Sequence, residues 1–268
     1  MKIHRLKERH GYFMDCFELD VHTHSVSSGH YTEDTVTDMI KHASGIGLKL
    51  LGISEHGPKL PNSCGLSYFR GLALAPSKRM GISVLYGAEV NIMDAGTFHG
   101  NLERKTDVTS QGTLDLPDDI MKQLDYCIAG MHPPCFSPKT REENTNAYIQ
   151  AMKNPYIRII AHPDDGKYPV DYDRLMEAAM DFHVLLEINN SSLSPEGYRG
   201  SVKENDKTIL TLCQKYRYPV LLSSDSHGCA NIGNFSYALF LIREMKFPKE
   251  LILNRSTDAF FRFLQKNK

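Results

Sequence analysis

The sequence predicts an α/β fold in which parallel strands alternate with helices and close into a barrel. Seven apolar runs of strand length recur along the 268 residues, separated by helical stretches. The runs are mostly unbroken rather than alternating, as parallel strands buried on both faces require. Six of the seven end in a residue able to hold a metal, and parallel strand–helix alternation puts every C-terminal strand end on one face. An open doubly wound sheet would keep its edges apart. A barrel lets the first and seventh strands meet the middle ones.

The first run, Phe17–Val21, follows a basic leader and ends in His22-Thr23-His24. A helix is expected near Thr32–Ser44, with Thr32 as N-cap and Gly45 and Gly47 as its stop. Leu48–Ser54 ends in Glu55-His56, and the loop Gly57–Gly65 leads to a helix near Ser67–Met80. Ile82–Ala88 ends in Glu89 and precedes the longest irregular stretch, Asp94–Gly112, a lid or a surface ornament. A short helix at Leu116–Gln123 leads into Cys127–Met131, which ends in His132. Arg141–Met152 is helical before Ile157–Ala161, which ends in His162. Asp171–Phe182 is helical before Val184–Ile188, the run that ends in Asn189-Asn190 instead. Asn205–Tyr216 precedes Pro219–Ser224, which ends in Asp225-Ser226-His227. Phe235–Met245 and Thr257–Gln265 read as closing helices. One domain over 1–268 is expected, with a leader over 1–15 and C-terminal helices over 235–268.

A hydrophobic fraction of 41% and a charged fraction of 24% are those of an ordinary globular protein. With 31 basic and 32 acidic residues there is no global field to draw the chain onto a polyanion, which weighs against duplex binding. The six cysteines include no C-x-x-C pair. The N-terminus lacks the apolar core of an export signal, and no run approaches the roughly 18 apolar residues of a membrane span. A reduced, cytoplasmic protein is the expectation. Cys64, Cys135 and Cys229 fall in loops near the expected site, where they could be targets for metal or oxidation.

His22 and His24 share one side of an extended chain, because side chains alternate with period two. Shuffling 12 histidines gives roughly half such a pair per chain, so the pair alone decides nothing. His30, in a Ser/Gly loop, and His56, at the start of a turn, would each pass as polar loop residues. Glu89 is more telling. It interrupts the apolar strand Leu85-Tyr86-Gly87-Ala88-Glu89-Val90-Asn91, and a buried charge is costly unless paired or metal-bound. His132 and His162 each stand before a proline, which ends a strand ladder because it has no N–H. Asp225 and His227 are two apart and share a face. Together the set takes seven of the 12 histidines; His4, His10, His42, His99 and His183 read as surface or packing residues.

His22-Thr23-His24-Ser25, His30, Glu55-His56-Gly57-Pro58, Gly87-Ala88-Glu89, His132-Pro133, His162-Pro163 and Ser224-Asp225-Ser226-His227 together resemble the PHP (polymerase and histidinol phosphatase) superfamily. Leu186-Glu187-Ile188-Asn189-Asn190-Ser191-Ser192 is similar to its bacterial zinc-phosphatase branch. The resemblance spans His22 to His227 and fills all nine ligand positions. It implies a distorted seven-stranded, TIM-like barrel, the PHP fold, holding three divalent metals. By position, His22, His24, Glu89 and Asp225 would hold the first. Glu89, bridging, would hold the second with His132 and His162; His30, His56 and His227 would hold the third. Donor chemistry agrees: three imidazoles suit zinc, and mixed imidazole–carboxylate sets suit zinc, manganese or iron. The leader before His22 and the 94–112 loop are longer than the resemblance implies.

Metal-assisted hydrolysis of a small phosphomonoester is the expected activity. Two ions sharing Glu89 would activate a bridging water, and the third would bind phosphate oxygens. Glu89, Asp225, His132 and His162 are the expected catalytic residues. Lys167 and Arg199 are either phosphate anchors or solvated surface charges. The expected partner is a small phosphorylated substrate, with no membrane and no duplex nucleic acid; a homo-oligomer is left open. Two other readings compete. A phosphodiesterase or single-strand exonuclease would use the same metals but need a basic or aromatic groove. A non-catalytic metal-binding interaction domain would be favoured by a missing ligand.

Overall fold

A computed structural model describes residues 17–30, 32–94 and 113–265; the expected leader and the 95–112 part of the long loop lie outside them. Seven strands pair in parallel in chain order. They are β1 (Leu19–Asp20), β2 (Leu50–His56), β3 (Ile82–Met93), β4 (Tyr126–Gly130), β5 (Ile157–Ile160), β6 (Leu185–Asn189) and β7 (Val220–Ser223). The result is the expected α/β barrel, nearly closed. In register, His56 lies opposite Glu89, and Glu89 opposite Ile128.

Closure comes from the C-terminal segment 252–254, which fills the place where β1 and β7 would meet. Val220 bridges to Ile252, and the Glu18 N–H donates to the Asn254 carbonyl at 2.7 Å. The buried Asn254 carboxamide then stands in for ladder bonds. Its Oδ1 accepts from Leu222 N–H at 2.8 Å, and its Nδ2 donates to Leu222 O at 2.7 Å and Leu19 O at 3.1 Å. Beyond the barrel, Thr23–His24 and Ser226–His227 pair in parallel, setting His227 opposite His24. The first and last strands therefore deliver their ligands side by side.

Local chemistry fixes the helices. In α1 (Val36–Gly45), Thr35 Oγ1 accepts from Asp38 N–H at 3.3 Å, while Asp38 Oδ2 accepts from Thr35 N–H at 3.0 Å. The N-cap is therefore Thr35 rather than Thr32. Three residues after Thr32 comes Thr35, with no carboxylate to return the bond. Thr140 and Glu143 make the same box at the start of α4 (Arg141–Met152). The helix expected over Ser67–Met80 is shorter: α2 spans Leu66–Leu72, and Lys78–Arg79 pairs antiparallel with β3. Pro76, without an N–H, and Gly71 work against helix through that stretch. The helix α3 covers Asp118–Met121, α5 Tyr172–Asp181 and α6 Val202–Tyr216, three residues longer at its start than expected. The chain ends with α7 (Ser236–Glu244) and α8 (Thr257–Gln265).

Alternate strand residues sort into separate cores. Leu19, Leu50, Leu85, Ile128, Ile159, Leu185 and Leu221 form one cluster with Phe260 and Phe263 of α8. Val90, Ala129, Ile160, Ile188 and Leu222 pack with the surrounding helices in another. Each fully buried leucine, isoleucine, valine or phenylalanine among them stabilises the fold by about 1.5–3 kcal/mol. These cores hold the strand ends rigid, and the strand ends carry the polar residues.

Candidate metal centre

All nine predicted ligands reach one rim of the barrel. Glu89 stands at the centre, and its two oxygens face different imidazoles. Oε1 lies 3.1 Å from His132 Nε2 and 3.0 Å from His162 Nε2. Oε2 lies 3.2 Å from His22 Nε2, 3.4 Å from His24 Nε2 and 2.9 Å from His56 Nδ1. Asp225 Oδ1 is 3.6 Å from His22 Nε2 and 3.4 Å from His24 Nε2. His30 Nδ1 and His227 Nε2 are 3.1 Å apart, and the His30 ring lies 4.6 Å from that of His56. The rim is continuous, although His30 and His227 sit at its more open side.

These atoms do not satisfy one another. His22 Nε2, His24 Nε2, His56 Nδ1 and Glu89 Oε2 are all buried, yet none has a hydrogen-bond partner. They approach closely without making a hydrogen bond. One orphaned buried group costs about 1–3 kcal/mol, so several in one place signal a ligand. Their spacing agrees, because donors at 2.0–2.1 Å from a tetrahedral zinc stand about 3.3 Å apart. Three groupings could each hold an ion: His22, His24 and Asp225; His56, Glu89 and His132; and His24, His56 and His227.

Protonation suits metal binding as well. Burial lowers the His24 pKa far below its ordinary value, assisted by His56 and His227, and brings His56 down to about 4. Burial and Arg199 lower His162, and burial and His227 lower His30. These imidazoles are neutral near neutral pH and have lone pairs to give. Burial alone would raise Glu89 and Asp225, but the charge of His22, with hydrogen-bonding imidazoles and, for Asp225, the Arg199 guanidinium, outweighs it and holds both well below the usual carboxylate range. His22 is the exception. Burial pulls it down, yet the Glu187, Glu89 and Asp225 carboxylates hold it well above its ordinary value. A cation at Nε2 would replace that proton.

The backbone is bent to make the centre. His162 and Asp225 have φ of 31° and 51°, in the left-handed region that non-glycine residues rarely occupy. Gly130 leaves room for the central carboxylate, since a Cβ there would stand 2.9 Å from both Glu89 Oε1 and His132 Cε1.

Sequence reasoning gave no role to the residues that support the ligands. Glu187 accepts from His22 Nδ1–H at 2.6 Å and from His162 N–H at 2.7 Å. Asn91 Oδ1 accepts from His132 Nδ1–H at 2.8 Å, while its own Nδ2 donates to Asp115 Oδ2 at 2.6 Å. Each contact leaves a ring nitrogen free to face the centre. A carboxylate in the buried run Leu185–Asn189 was a legible signal for Glu187, on the reasoning that singled out Glu89. Asp115 had no such signal. Of the two cations considered as anchors, Lys167 is exposed, with its Nζ 4.6 Å from the Tyr198 ring centroid. Arg199 is no solvated surface charge. Its side chain is 7% exposed, and Nη1 reaches Ser192 Oγ at 2.9 Å and Asp225 Oδ2 at 3.4 Å. Burial raises the Cys64 and Cys135 thiols to about 12 and Cys229 to about 11, so all three stay protonated.

The PHP domain family model matches residues 20–251. A protein of Clostridium novyi named "Probable phosphatase" is 42% identical over 250 residues, covering 93% of this chain and 95% of that one. A Clostridium acetobutylicum protein, also named "Probable phosphatase", is 40% identical over 92% of this chain and 94% of its own. Among solved structures, histidinol phosphate phosphatase from Lactococcus lactis, complexed with zinc, L-histidinol and phosphate, aligns with a TM-score of 0.57. It is 18% identical, over 86% of this chain and 94% of that one, and so is a likeness of fold.

Proposed function

The chain belongs to the PHP domain family, and from that premise we infer that it is a metal-dependent phosphatase acting on small-molecule phosphomonoesters. The observation that carries the reading is the division of Glu89, with Oε1 turned to His132 and His162 and Oε2 to His22, His24 and His56. A carboxylate shared between two cations needs this division. Following the family resemblance, we assign one ion to His22, His24, Glu89 and Asp225, a second to Glu89, His132 and His162, and a third to His30, His56 and His227; only the first matches a close grouping in the structure, where His56 stands instead with Glu89 and His132 and with His24 and His227.

Divalent ions held there, zinc before manganese or iron, supply Lewis acidity and bring the pKa of water toward neutrality. The chain's own residues set the frame. Glu187 and Asn91 orient His22 and His132 through their Nδ1–H groups. Arg199 offsets the charge of Asp225 and presents a guanidinium beside the centre, where its fork matches phosphoryl oxygens. No serine or cysteine nucleophile is required.

Phosphate release by the zinc-loaded protein from a panel of phosphomonoesters tests the reading. We expect turnover in the wild type and at least a hundredfold loss in Asp225→Asn. No release from any ester by fully metal-loaded protein would overturn it.

A further inference from the structure

A cavity of about 320 Å3 opens beside Asp225, bounded by the loops after β6 and β7 and by the start of α7. Its floor carries Asp225 and Arg199, and its walls present Ser191, Asn231, Glu196 and the rings of Tyr198 and Tyr237. Among the described residues that line it, none is aliphatic and none is phenylalanine, and Arg199 alone is cationic. The Tyr198 ring is held in place, with Lys167 Nζ 4.6 Å and Arg199 Cζ 5.1 Å from its centroid. Tyr237 is 41% exposed and faces the same space.

We propose that this cavity receives the alcohol half of the substrate and that the alcohol is polyhydroxylated: a sugar or polyol carrying one phosphate. The inference rests on the phosphatase reading. Hydroxyl and carboxamide walls both donate and accept, as the hydroxyls of a polyol do. An aryl or alkyl group would strip water from these walls and return no hydrogen bond. The phenol rings add flat apolar faces for the C–H side of a sugar. Arg199 is the one cation among the described lining residues, so the cavity wall itself offers no separate cation for a second phosphate. The volume lies at the small end of ligand pockets, which fits one sugar unit rather than an oligomer.

The test compares kcat/KM of the zinc-loaded full chain for glycerol, pentose and hexose monophosphates with those for nitrophenyl phosphate, histidinol phosphate and AMP. We expect a sugar or polyol ester to lead nitrophenyl phosphate by at least tenfold. Asn231→Ala should then reduce that ratio about fivefold, chiefly through KM, as the loss of one neutral hydrogen bond would. A preference for the aryl, amino or nucleoside ester, or a ratio unmoved by both Asn231→Ala and Tyr237→Ala, overturns the inference and leaves the phosphatase reading standing. Failure to hydrolyse any of the esters overturns both.

Discussion

Glu187 Oε1 accepts a hydrogen bond from His22 Nδ1 at 2.6 Å, and that contact decides which nitrogen of His22 faces the candidate metal centre. The other Glu187 oxygen takes the His162 N–H at 2.7 Å and the Asn189 amide at 3.0 Å. One buried carboxylate thus orients a ligand from β1 and fixes the bent backbone of a ligand after β5.

Glu187→Ala should therefore weaken metal binding about 10–100-fold, the usual cost of losing a partner behind a ligand. Glu187→Gln keeps an acceptor on one side, for His22 Nδ1–H or for the His162 and Asn189 N–H groups, and should lose less. Competition with a zinc chelator measures both, and equal affinity in all three proteins would refute the role.

Gly130→Ala should displace the central carboxylate. The added methyl would meet Glu89 Oε1 and His132 Cε1 at 2.9 Å and His162 Cε1 at 3.1 Å. We expect fewer ions per chain by elemental analysis and a stability loss of about 1–3 kcal/mol from overpacking.

Asn254→Ala should open the seam between β1 and β7. It leaves the Leu222 N–H and C=O and the Leu19 C=O without the carboxamide that bonds them. A loss of about 2–4 kcal/mol is expected in urea unfolding, since each unpaired buried group costs about 1–3 kcal/mol. A loss below about 0.5 kcal/mol, the scale of an ordinary surface substitution, would show that the seam does not depend on it.

Asp206→Asn should stabilise the protein, and more so at alkaline pH. Burial raises the Asp206 carboxyl well above its ordinary value, and repulsion from Asp164 adds to the effect. Burial likewise raises Asp164 from 3.8 to about 7. A raised acid leaves the native state holding protons that the unfolded chain has released. Stability therefore falls as pH climbs from the unfolded value through the folded one, and the penalty is complete above it. Thermal unfolding at pH 4 and pH 8 should show the asparagine advantage growing between them, to about 1–3 kcal/mol. An advantage that shrinks with pH would contradict the sign.

Unbroken apolar runs fixed the strands, and Glu89 betrayed the centre because a carboxylate inside such a run has few other uses. The boxes Thr35/Asp38 and Thr140/Glu143 are local, so helix starts are legible in the sequence, and Thr32 lacks the carboxylate three residues on that completes such a box. The supporting shell was less accessible. Asp115 stands in no motif, yet it holds Asn91, and Asn91 holds His132 across 41 residues of chain.

The order of strands and the one-sided gathering of their ends follow from periodicity and residue type, and the nine expected donors from the resemblance of those strand ends to the family, all properties of the chain alone. Which oxygen of Glu89 faces which imidazole, which ring nitrogen each histidine turns inward, and the burial of Arg199 follow from distances of a few ångströms between segments far apart in sequence. Hydrogen-bond direction and desolvation vary over such distances, and only the packed barrel sets them.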